Sequence, residues 1–514
     1  MPTTSETGRT HYRGPAEAGA PRLAGLPGVR RVEVLAPRVV EVQRYDTDDH
    51  RLAAAGIVLA LHRSDGDGDG DGDGGEWSLD LPDGDGREEL RTPLDPGAPD
   101  PAPVPGRLDE LVRGVTCERA VRPVGRARTT RTVHRLHGDD GVLADVAHEQ
   151  VTVATMGRTT DVSSWTEAHV DLVTAGAELR DALADRLADD GLQSAEPAAA
   201  VQLDRMLRPR SARRRGPGRR SSAGDVLLAY LAAQVDRLGA EDLRVRRDEP
   251  DAVHQLRVAA RRLRSALQAY RPLLDSARTE PLVDELRTLG RVLAPARDAE
   301  VLRERITAGL ADLAPELRLG GARALVTRHF SRTEAEARAA LLTELDGARY
   351  AALRGALEDL VARPPLTARA ARPARKEVPA LVARAGRRLE RAMATATDAA
   401  LPAAERDTAV HAARKAGKRL RYATEVARPA VGRDAKRFEK QLKAFQKALG
   451  EHQDAVVARD ALRELGTAAH AAGENGFSFG VLLGRDDARA ARIEQDLPAL
   501  WAAAWRRRAR RRFT

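Results

Sequence analysis

The sequence predicts an α+β protein of several domains, with an antiparallel β barrel in the N-terminal half and an all-α C-terminal half built from a pair of pseudo-symmetric four-helix bundles. Three observations lead to this prediction. The chain has 514 residues, too many for one ordinary core. Short alternating segments fill the part before about residue 173, whereas helical periodicity begins near residue 223. A segment that begins with histidine and is rich in arginine occurs twice in the helical half.

Composition narrows the class of protein. Apolar residues make up 42% of the chain but aromatic residues only 3%, so the cores must consist of Ala, Leu and Val, and Ala and Leu favour helices. The single cysteine, Cys117, excludes an internal disulfide and a multi-thiolate zinc site. No apolar run approaches the ~18 residues of a membrane span, and the first residues lack a secretory signal. We therefore expect a cytoplasmic protein without a membrane partner.

Positive charge is concentrated in the C-terminal half. Lys and Arg number 85 and Asp and Glu 76, which gives a net charge of +9. Residues 1–210 carry −12 and residues 211–514 carry +21, which together make that total. The basic half is expected to attract polyanions through a salt-sensitive interaction.

The change of charge coincides with a segment rich in Arg, Gly, Pro and Ser, a composition typical of linkers. The predicted organisation is an unstructured tail (1–24), a β domain (25–207), the linker (208–222), a helical domain (223–508) and a basic tail (509–514). Within the helical domain, the two repeats are expected at about 223–365 and 375–508.

Six short segments of the β domain alternate polar and apolar residues, which is typical of strands separated by Gly, Asp and Pro turns. They are Val32–Val42, Leu59–Leu61, Ser78–Leu81, Thr132–Leu136, Val151–Val153 and Ala168–Leu172. A helix is predicted from Ala177 to Leu192, because Leu179, Leu183 and Leu187 recur at a spacing of four.

An Asp-Gly repeat from Asp65 to Glu76 satisfies the residue spacing of an EF-hand calcium loop. Any Asp-Gly repeat satisfies that spacing, and the flanking segments are predicted strands rather than helices. We therefore favour a flexible hairpin loop, with weak Ca²⁺ binding as the alternative.

Four motifs of the β domain resemble the CYTH family and follow the family's order. They are Tyr45–Gly56 (YDTDDHRLAAAG), Glu76–Pro82 (EWSLDLP), Arg87–Arg91 (REELR) and Trp165–Glu167 (WTE). The resemblance covers roughly the whole β domain. It implies a tunnel of antiparallel strands, in which basic residues hold a triphosphate and acidic residues bind Mg²⁺ or Mn²⁺ to hydrolyse or cyclise it.

The departures from the CYTH pattern affect the residues that would do the chemistry. No Glu-x-Glu-x-Lys strand precedes Val32, and Asp80 occupies the position of a phosphate-binding lysine. His62 and His169 interrupt the arginine and glutamate patterns of two further strands. Phosphoryl transfer needs convergent carboxylates for the metal and cations for the phosphate. We therefore expect an inactive tunnel without a cofactor, and the alternative is a triphosphatase or short-chain polyphosphatase dependent on Mg²⁺ or Mn²⁺.

Several charged residues of the tunnel pattern are nevertheless retained. They are Arg87, Glu89, Arg91, Arg128, Arg131, Asp145, Glu167 and Asp171. If no triphosphate enters the tunnel, these residues are expected to form cross-strand salt bridges.

The strongest pattern in the chain is an internal repeat. The segment His254–Arg264 (HQLRVAARRLR) recurs as His411–Arg421 (HAARKAGKRLR) at an offset of 157. Further on, Arg291–Ala299 recurs as Lys447–Ala455 at an offset of 156. Two related helical units of about 150 residues therefore follow one another, each large enough for a four-helix bundle with its own core.

Each copy of the repeat places its cations on one helix face, within an arc of about 80° on a wheel of 100° per residue. The two stripes are His254, Arg257, Arg261 and Arg264, and His411, Arg414, Lys418 and Arg421. Further basic pairs at a spacing of four are Arg287/Arg291 and Lys443/Lys447. Like charges at such spacings destabilise a helix. We therefore favour a multiply charged anion that spans both stripes over a merely solvated face.

The helical half resembles the CHAD family along nearly its whole length. The motifs that carry the resemblance are Val253–Leu267, Arg297–Leu302 and Gly476–Arg485. The resemblance implies paired helical bundles with a basic groove that binds inorganic polyphosphate. It assigns phosphate contacts to both stripes, with Arg262 and Arg419 as flanking candidates. CYTH–CHAD fusions are a known bacterial arrangement, so each resemblance supports the other.

Inorganic polyphosphate is therefore the expected partner, and an association with polyphosphate granules stays open. No aromatic residue interleaves the stripes, which argues against base stacking on single-stranded nucleic acid. A nucleic-acid-binding module is kept as an alternative. Near the C-terminus, Trp501 and Trp505 are expected to pack the last helix onto the bundle, while the six arginines that follow extend the basic surface. The alternative for this segment is a membrane-surface helix.

Overall fold

The computed structural model describes residues 9–65, 75–83, 86–157, 159–196, 199–207, 216–218, 220–506 and 513. It comprises two compact units, Met1–Ala212 and Arg213–Thr514. Of the helices that it describes, none is long and apolar enough to cross a membrane.

The first unit contains an antiparallel sheet, as predicted. Its strands are β1 (Arg9–Pro15), β2 (Arg31–Val34), β3 (Arg38–Asp46), β4 (Val58–Asp65), β5 (Gly75–Asp83), β6 (Gly86–Pro93), β7 (Arg122–His137), β8 (Val142–Thr155), β9 (Val162–Leu172) and β10 (Gln193–Ser194). The hydrogen-bonded order is β10-β1-β9-β8-β7-β3-β4-β5-β6, and β2 pairs with β7. The predicted segment Val32–Val42 is divided between β2 and β3 near Pro37, which has no N–H to donate to a ladder.

Helices cover the sheet from two directions. The described helices of this unit are α1 (Arg51–Ala54), α2 (Gly106–Thr116), α3 (Ala177–Asp189) and α4 (Ala199–Leu207). The spaced leucines of α3 are buried against Val146 and Val170 of the sheet, and Leu203 of α4 is buried against Val151. Because side chains alternate along a strand, the charged residues of β8 and β9 lie on the face opposite α3.

The first strand corrects the expectation for the N-terminus. We expected no regular structure over 1–24, yet β1 pairs with β9 along its whole length. The strand β1 shows no apolar periodicity, because Tyr12 is its only large apolar side chain, and Tyr12 is buried in the core. A strand therefore does precede Val32, but its sequence, RTHYRGP, contains neither Glu nor Lys.

Three predicted features fall wholly or partly outside the described residues. They are the Asp-Gly repeat at 66–74, the linker at 208–215 and the basic tail at 507–512. On either side of the repeat the chain forms β4 and β5, which pair with each other from Arg63 opposite Gly75 onward. The flanking segments are therefore strands, as the hairpin interpretation requires.

The second unit is all-α, as predicted. Its described helices are α5 (Ala223–Arg246), α6 (Ala252–Ala269), α7 (Ser276–Val292), α8 (Ala294–Asp312), α9 (Ala322–Leu345), α10 (Ala348–Ala362), α11 (Ala374–Ala396), α12 (Ala403–Val431), α13 (Arg433–Ala471) and α14 (Phe477–Ala504). A capping box starts α5, because the Ser222 side chain accepts from the Asp225 N–H and the Asp225 side chain accepts from the Ser222 N–H.

The internal repeat is visible in the helices. α6 and α12 carry the repeated basic segment, and α13 corresponds to α7 and α8 together. Pro295 separates α7 from α8, because proline lacks an N–H and clashes with the preceding turn. The equivalent residue of the second repeat is Glu451, and α13 continues through it as one helix of 39 residues.

The hydrophobic cores are shared between the two repeats. One cluster contains Leu256 and Leu263 of α6 together with Leu420 of α12. The Tyr270 hydroxyl also donates to the Ala423 carbonyl at 2.8 Å. A second cluster joins α8 and α9 to α13 and α14. The expectation of a separate core for each repeat is therefore wrong, because the apolar faces of α6 and α12 enter the same cluster.

The last helix is held by aromatic contacts. The rings of Trp501 and Trp505 stack with centroids 4.6 Å apart. Trp501 contacts Phe445 and Trp505 contacts Phe438, with centroid distances of 5.5 and 5.9 Å. The prediction that these tryptophans pack the last helix onto the bundle is confirmed.

Candidate anion-binding cleft

Residues of α6, α8, α12 and α13 line a cleft of about 1100 Å³ that is open to solvent. Its lining residues are His254, Arg257, Arg261, Arg297, Asp298, Val301, Leu302, Arg305, His411, Arg414, Lys418, Gln453, Asp454 and Val457. The structure thus brings the first three members of each predicted stripe into one cavity. The fourth members, Arg264 and Arg421, do not line it.

The stripes face the cleft because the opposite faces of their helices are buried. Leu256 and Leu263 of α6 and Leu420 of α12 are fully buried in the shared core. Once an apolar stripe is fixed in the core, the residues on the other side of the helix must face outward. Since α6 and α12 also contact each other, their basic faces meet at one cavity.

Several basic residues of the cleft have no acidic partner among the residues that the structure describes, although Arg257 has one. Arg257 forms an ion pair with Asp298, with 2.9 Å between Nη1 and Oδ1. Arg261 instead donates from Nε to the Tyr422 hydroxyl at 3.0 Å. Within the described part of the chain, neither Arg261 nor Arg414 nor Lys418 forms an ion pair at the 4.0 Å limit, and the Nε of Arg414 is buried without a hydrogen-bond acceptor.

Burial and mutual repulsion make positive charge in the cleft costly. Burial lowers the pKa of Lys418 to about 6, and the neighbouring Arg414 and Arg261 add to the effect. Burial also lowers the pKa of Arg414, and it lowers the pKa of His254 together with the nearby Arg297. A bound anion would favour the charged form of each group, so the cleft is electrostatically suited to one.

Two cleft arginines were missed as site residues. Arg297 forms an ion pair with Glu300, with 2.7 Å between Nη1 and Oε2. Arg305 pairs with Asp486, and its Nε lies 3.1 Å from Oδ2. Both belong to α8 and are eight residues apart, which places them on one helix face. That spacing was the available signal, but nothing in the sequence shows that α8 packs beside the basic stripes.

Two arginines that were predicted to contact phosphate instead lie beside a carboxylate outside the cleft lining. The Nε of Arg262 lies 3.1 Å from Oε2 of Glu425, and the Nε of Arg421 lies 3.7 Å from Oε1 of the same carboxylate. The guanidinium of Arg421 also sits 4.8 Å from the ring centroid of Tyr422. The two guanidinium groups therefore share one carboxylate, which balances one of their two charges.

Arg264 and Arg419 form a second basic group. Burial lowers the pKa of Arg264, and the cations Arg419 and Arg287 lower it further. Of these residues, Arg419 lines a second pocket, which lies between α6, α11 and α12.

The predicted outer row of cations lies on the surface and away from the cleft lining. Arg287 pairs with Asp284 at 2.5 Å, and Arg291 donates to the Thr288 hydroxyl at 3.0 Å. The remaining members, Lys443 and Lys447, are exposed. The structure therefore does not bring this row together with the stripes.

On the charged face of the sheet, by contrast, most retained residues are paired. Arg91 bonds to Glu76 at 2.7 Å and to Glu89 at 3.0 Å. Further cross-strand pairs are Arg131–Glu149 at 3.5 Å, Arg135–Asp145 at 2.9 Å and Arg87–Asp80 at 4.0 Å. Arg128 is exposed, and Asp171 lies opposite Arg9 and Asp145 in the ladder. These contacts match the salt-bridge alternative.

Three ligand atoms of this face lie within 4.8 Å of one another, from Glu149, Glu167 and His169. Both carboxylates are already engaged. Glu149 accepts from His169 Nε2 at 2.9 Å, and Glu167 accepts from Trp165 Nε1 at 2.7 Å. Burial is the largest single influence on Glu149 and would raise its pKa, but the His169 hydrogen bond and the nearby charges of His169, Arg131 and His11 together outweigh it, so the pKa is lowered.

The donor set does not fit the metal centre of a CYTH triphosphatase. Mg²⁺ prefers oxygen ligands and retained waters, whereas this cluster includes the imidazole of His169. Arg131 lies 3.5 Å from Glu149, and Arg13 lies 3.5 Å from Glu167. These cations already neutralise the carboxylates that would hold the ion.

The fold and the cleft define a protein with an antiparallel sheet unit and a repeated helical unit whose basic faces meet. The CHAD domain family model matches residues 229–463. Two uncharacterised proteins of Mycobacterium tuberculosis strains, Rv2226 and MT2285, are each 34% identical over 500 residues, which cover 93% of this chain and 92% of the relative. The chain belongs to their family and contains a CHAD domain.

Solved structures resemble parts of the chain. PptA from Streptomyces chartreusis is 25% identical, with coverage of 55% of this chain and 99% of that protein and a TM-score of 0.46. The CHAD domain from Ricinus communis is 23% identical, with coverage of 58% and 96% and a TM-score of 0.44. HpAC1 from Hippeastrum, described as having a dominant triphosphatase activity, is 14% identical, with coverage of 38% and 95% and a TM-score of 0.23.

Proposed function

We propose that the protein binds inorganic polyphosphate in the cleft between α6, α8, α12 and α13. The observation that carries the proposal is that both repeats deliver basic groups without an acidic partner among the described residues to one cavity, namely Arg261, Arg414 and Lys418. Cations that repel each other are held together at a cost, and a flexible polyanion removes that cost by neutralising several at once. Arginine forms bidentate contacts with phosphate oxygens, and lysine supplies a point charge.

The cleft favours a polyanion without bases over a nucleic acid. Among the described residues that line it, none is Phe, Tyr or Trp. The nearby Tyr422 is fully buried beneath the arginines, so its ring is not available for stacking. Single-strand readers combine a basic groove with exposed aromatic platforms, and this cleft offers only the basic groove. Membership of the CHAD family supports the same ligand, and binding of this kind would allow the protein to associate with polyphosphate granules.

The test is a titration of the full chain with polyphosphate of defined length. The variant Arg257→Glu/Arg414→Glu reverses one cation from each stripe and is expected to weaken binding about 100-fold or more, because charge-assisted contacts become repulsive. The matched control is Arg332→Glu/Arg463→Glu, which makes the same change in net charge at two arginines outside the cleft. We expect the control to lose less than about threefold.

Circular dichroism establishes that both variants keep their helices. Equal losses of affinity in the two variants would show that binding follows net charge alone, and the cleft assignment would then be wrong. If duplex DNA displaces polyphosphate at equal concentrations of charge, the preferred ligand is wrong.

A further inference from the structure

A second basic pocket lies between α6, α11 and α12, is open to solvent and encloses an empty volume of about 600 Å³ that includes that open space. Its lining residues are Ser265, Gln268, Ala269, Arg271, Leu381, Arg384, Ala385, Arg388, Ala416 and Arg419. Four of these residues are arginines, and no described lining residue is acidic. None of the ten residues lines the cleft, so the pocket is a separate feature.

The cations of the pocket are largely uncompensated. Arg271 pairs with Glu280 at 2.5 Å. Among the residues that the structure describes, Arg384, Arg388 and Arg419 have no carboxylate within the 4.0 Å limit for an ion pair. Burial lowers the pKa of Arg419, and the neighbouring cation Arg388 lowers it further. Three exposed arginines therefore line one solvent-open pocket with no carboxylate partner among the described residues.

The other repeat shows which side chains this pocket lacks, because the internal repeat relates their positions. An offset of 157 relates Ser265 to Tyr422 and Gln268 to Glu425. At the equivalent place in the second repeat, Glu425 is buried and accepts a hydrogen bond from the Tyr230 hydroxyl at 3.1 Å. The same carboxylate pairs with Arg262 at 3.1 Å. There, a buried tyrosine takes the place of Ser265, and a glutamate in the place of Gln268 supplies a negative charge.

The helix that flanks the pocket shows the same contrast. α5 begins at Ala223 and α11 at Ala374, an offset of 151 that relates Arg237 to Arg388. Arg237 is paired with Glu241 at 2.6 Å, whereas Arg388 is unpaired within the described residues. The two halves have thus diverged at matched positions, one toward internal neutralisation and the other toward an open cationic pocket.

We propose that the pocket between α6, α11 and α12 is a second, independent binding site for a phosphate group, either of a free short oligophosphate or at the end of a polyphosphate chain. Both ligands present phosphoryl oxygens. Arg384, Arg388 and Arg419 recognise these oxygens, and Ser265 and Gln268 provide neutral hydrogen-bonding groups. The proposal does not depend on the occupant of the cleft.

The test uses the full chain with the cleft silenced by Arg257→Glu/Arg414→Glu, titrated with tripolyphosphate. This parent is expected to bind tripolyphosphate at one site. Adding Gln268→Glu supplies the carboxylate that Glu425 provides in the other repeat, and we expect it to weaken binding about tenfold or more. Arg388→Ala should have a similar effect, whereas the matched control Arg237→Ala should change the affinity less than about twofold.

Two different substitutions are used at the pocket so that a folding defect is not mistaken for a loss of binding. Gln268→Glu preserves the size of the side chain, and circular dichroism measures the helicity of each variant. The proposal is overturned if the parent takes up no tripolyphosphate, or if Gln268→Glu and Arg388→Ala bind it as tightly as the parent. Neither result tests polyphosphate binding in the cleft, because that binding is measured by titrating the wild-type chain with long polyphosphate. Competition by long polyphosphate in proportion to its chain ends identifies chain ends as the ligand. Absence of competition identifies free oligophosphate, and either outcome supports the site.

Discussion

The charged face of the N-terminal sheet and the cleft of the helical unit hold similar kinds of residues but balance them differently. On the sheet, Arg131 and Arg135 each pair with a carboxylate on the neighbouring strand. In the cleft, Arg414 and Lys418 have no described carboxylate within ion-pair distance. The comparison teaches that the number of charges does not distinguish a binding site from a structural network. What distinguishes them is whether each charge has a partner within the protein.

Ionic strength should produce the largest effect. When about six basic residues of the cleft neutralise phosphates, the counterions condensed on the polyphosphate are released. Raising the salt concentration from about 50 to about 200 mM should therefore weaken polyphosphate binding about 100-fold or more. The slope of log affinity against log salt should fall in magnitude by at least about 1 in Arg257→Glu/Arg414→Glu. Titrations at four salt concentrations measure it. An unchanged slope in this variant would place the ligand outside the cleft.

A pair of alanine substitutions compares the two regions directly. Arg414→Ala should weaken polyphosphate binding about tenfold without lowering stability, because an unpaired, half-buried cation is removed. Arg135→Ala should leave binding unchanged and slightly lower the free energy of unfolding, because its two hydrogen bonds to Asp145 are lost. Calorimetry provides both quantities. The comparison fails if Arg135→Ala also impairs binding.

The effect of pH on polyphosphate binding should be no larger than that of Arg414→Ala. The pKa of Lys418 is lowered to about 6, so Lys418 is largely uncharged above that pH in the free protein. A polyanion favours the protonated amine, so binding takes up a proton. Affinity should therefore rise about tenfold as the pH falls from about 8 to about 6, and it should level off below the pKa of the free protein. Lys418→Met should remove most of this dependence, and an identical profile in the variant would exclude Lys418 as its source.

The sheet unit should show the smallest effect. Because Glu149 and Glu167 are engaged by His169, Trp165 and two arginines, millimolar Mg²⁺ or Mn²⁺ should release no phosphate from tripolyphosphate above a buffer blank. A malachite-green assay on the folded protein measures it. Turnover that disappears in Glu167→Gln would instead make this unit a metal-dependent triphosphatase.

The cations of the cleft were predictable because two local rules were sufficient. A repeat copies them at a fixed offset, and helical periodicity then places them on one face, as for Arg257 and Arg414. Arg384 and Arg388 were not predictable, since the docking of α11 decides which of its exposed arginines share a pocket. β1 was missed for a related reason, because its pairing partner β9 lies far away in sequence and the strand has little apolar patterning of its own.

The most direct test of the central claim is a lysine footprint of the bound protein. Lys418 and the exposed Lys436 are acetylated with and without a short polyphosphate of defined length, and modification at each lysine is quantified by mass spectrometry. Binding in the cleft predicts that acetylation of Lys418 slows about tenfold, through burial and protonation of its amine, while Lys436 is unaffected. Saturating polyphosphate that leaves Lys418 as reactive as in the free protein would contradict the account.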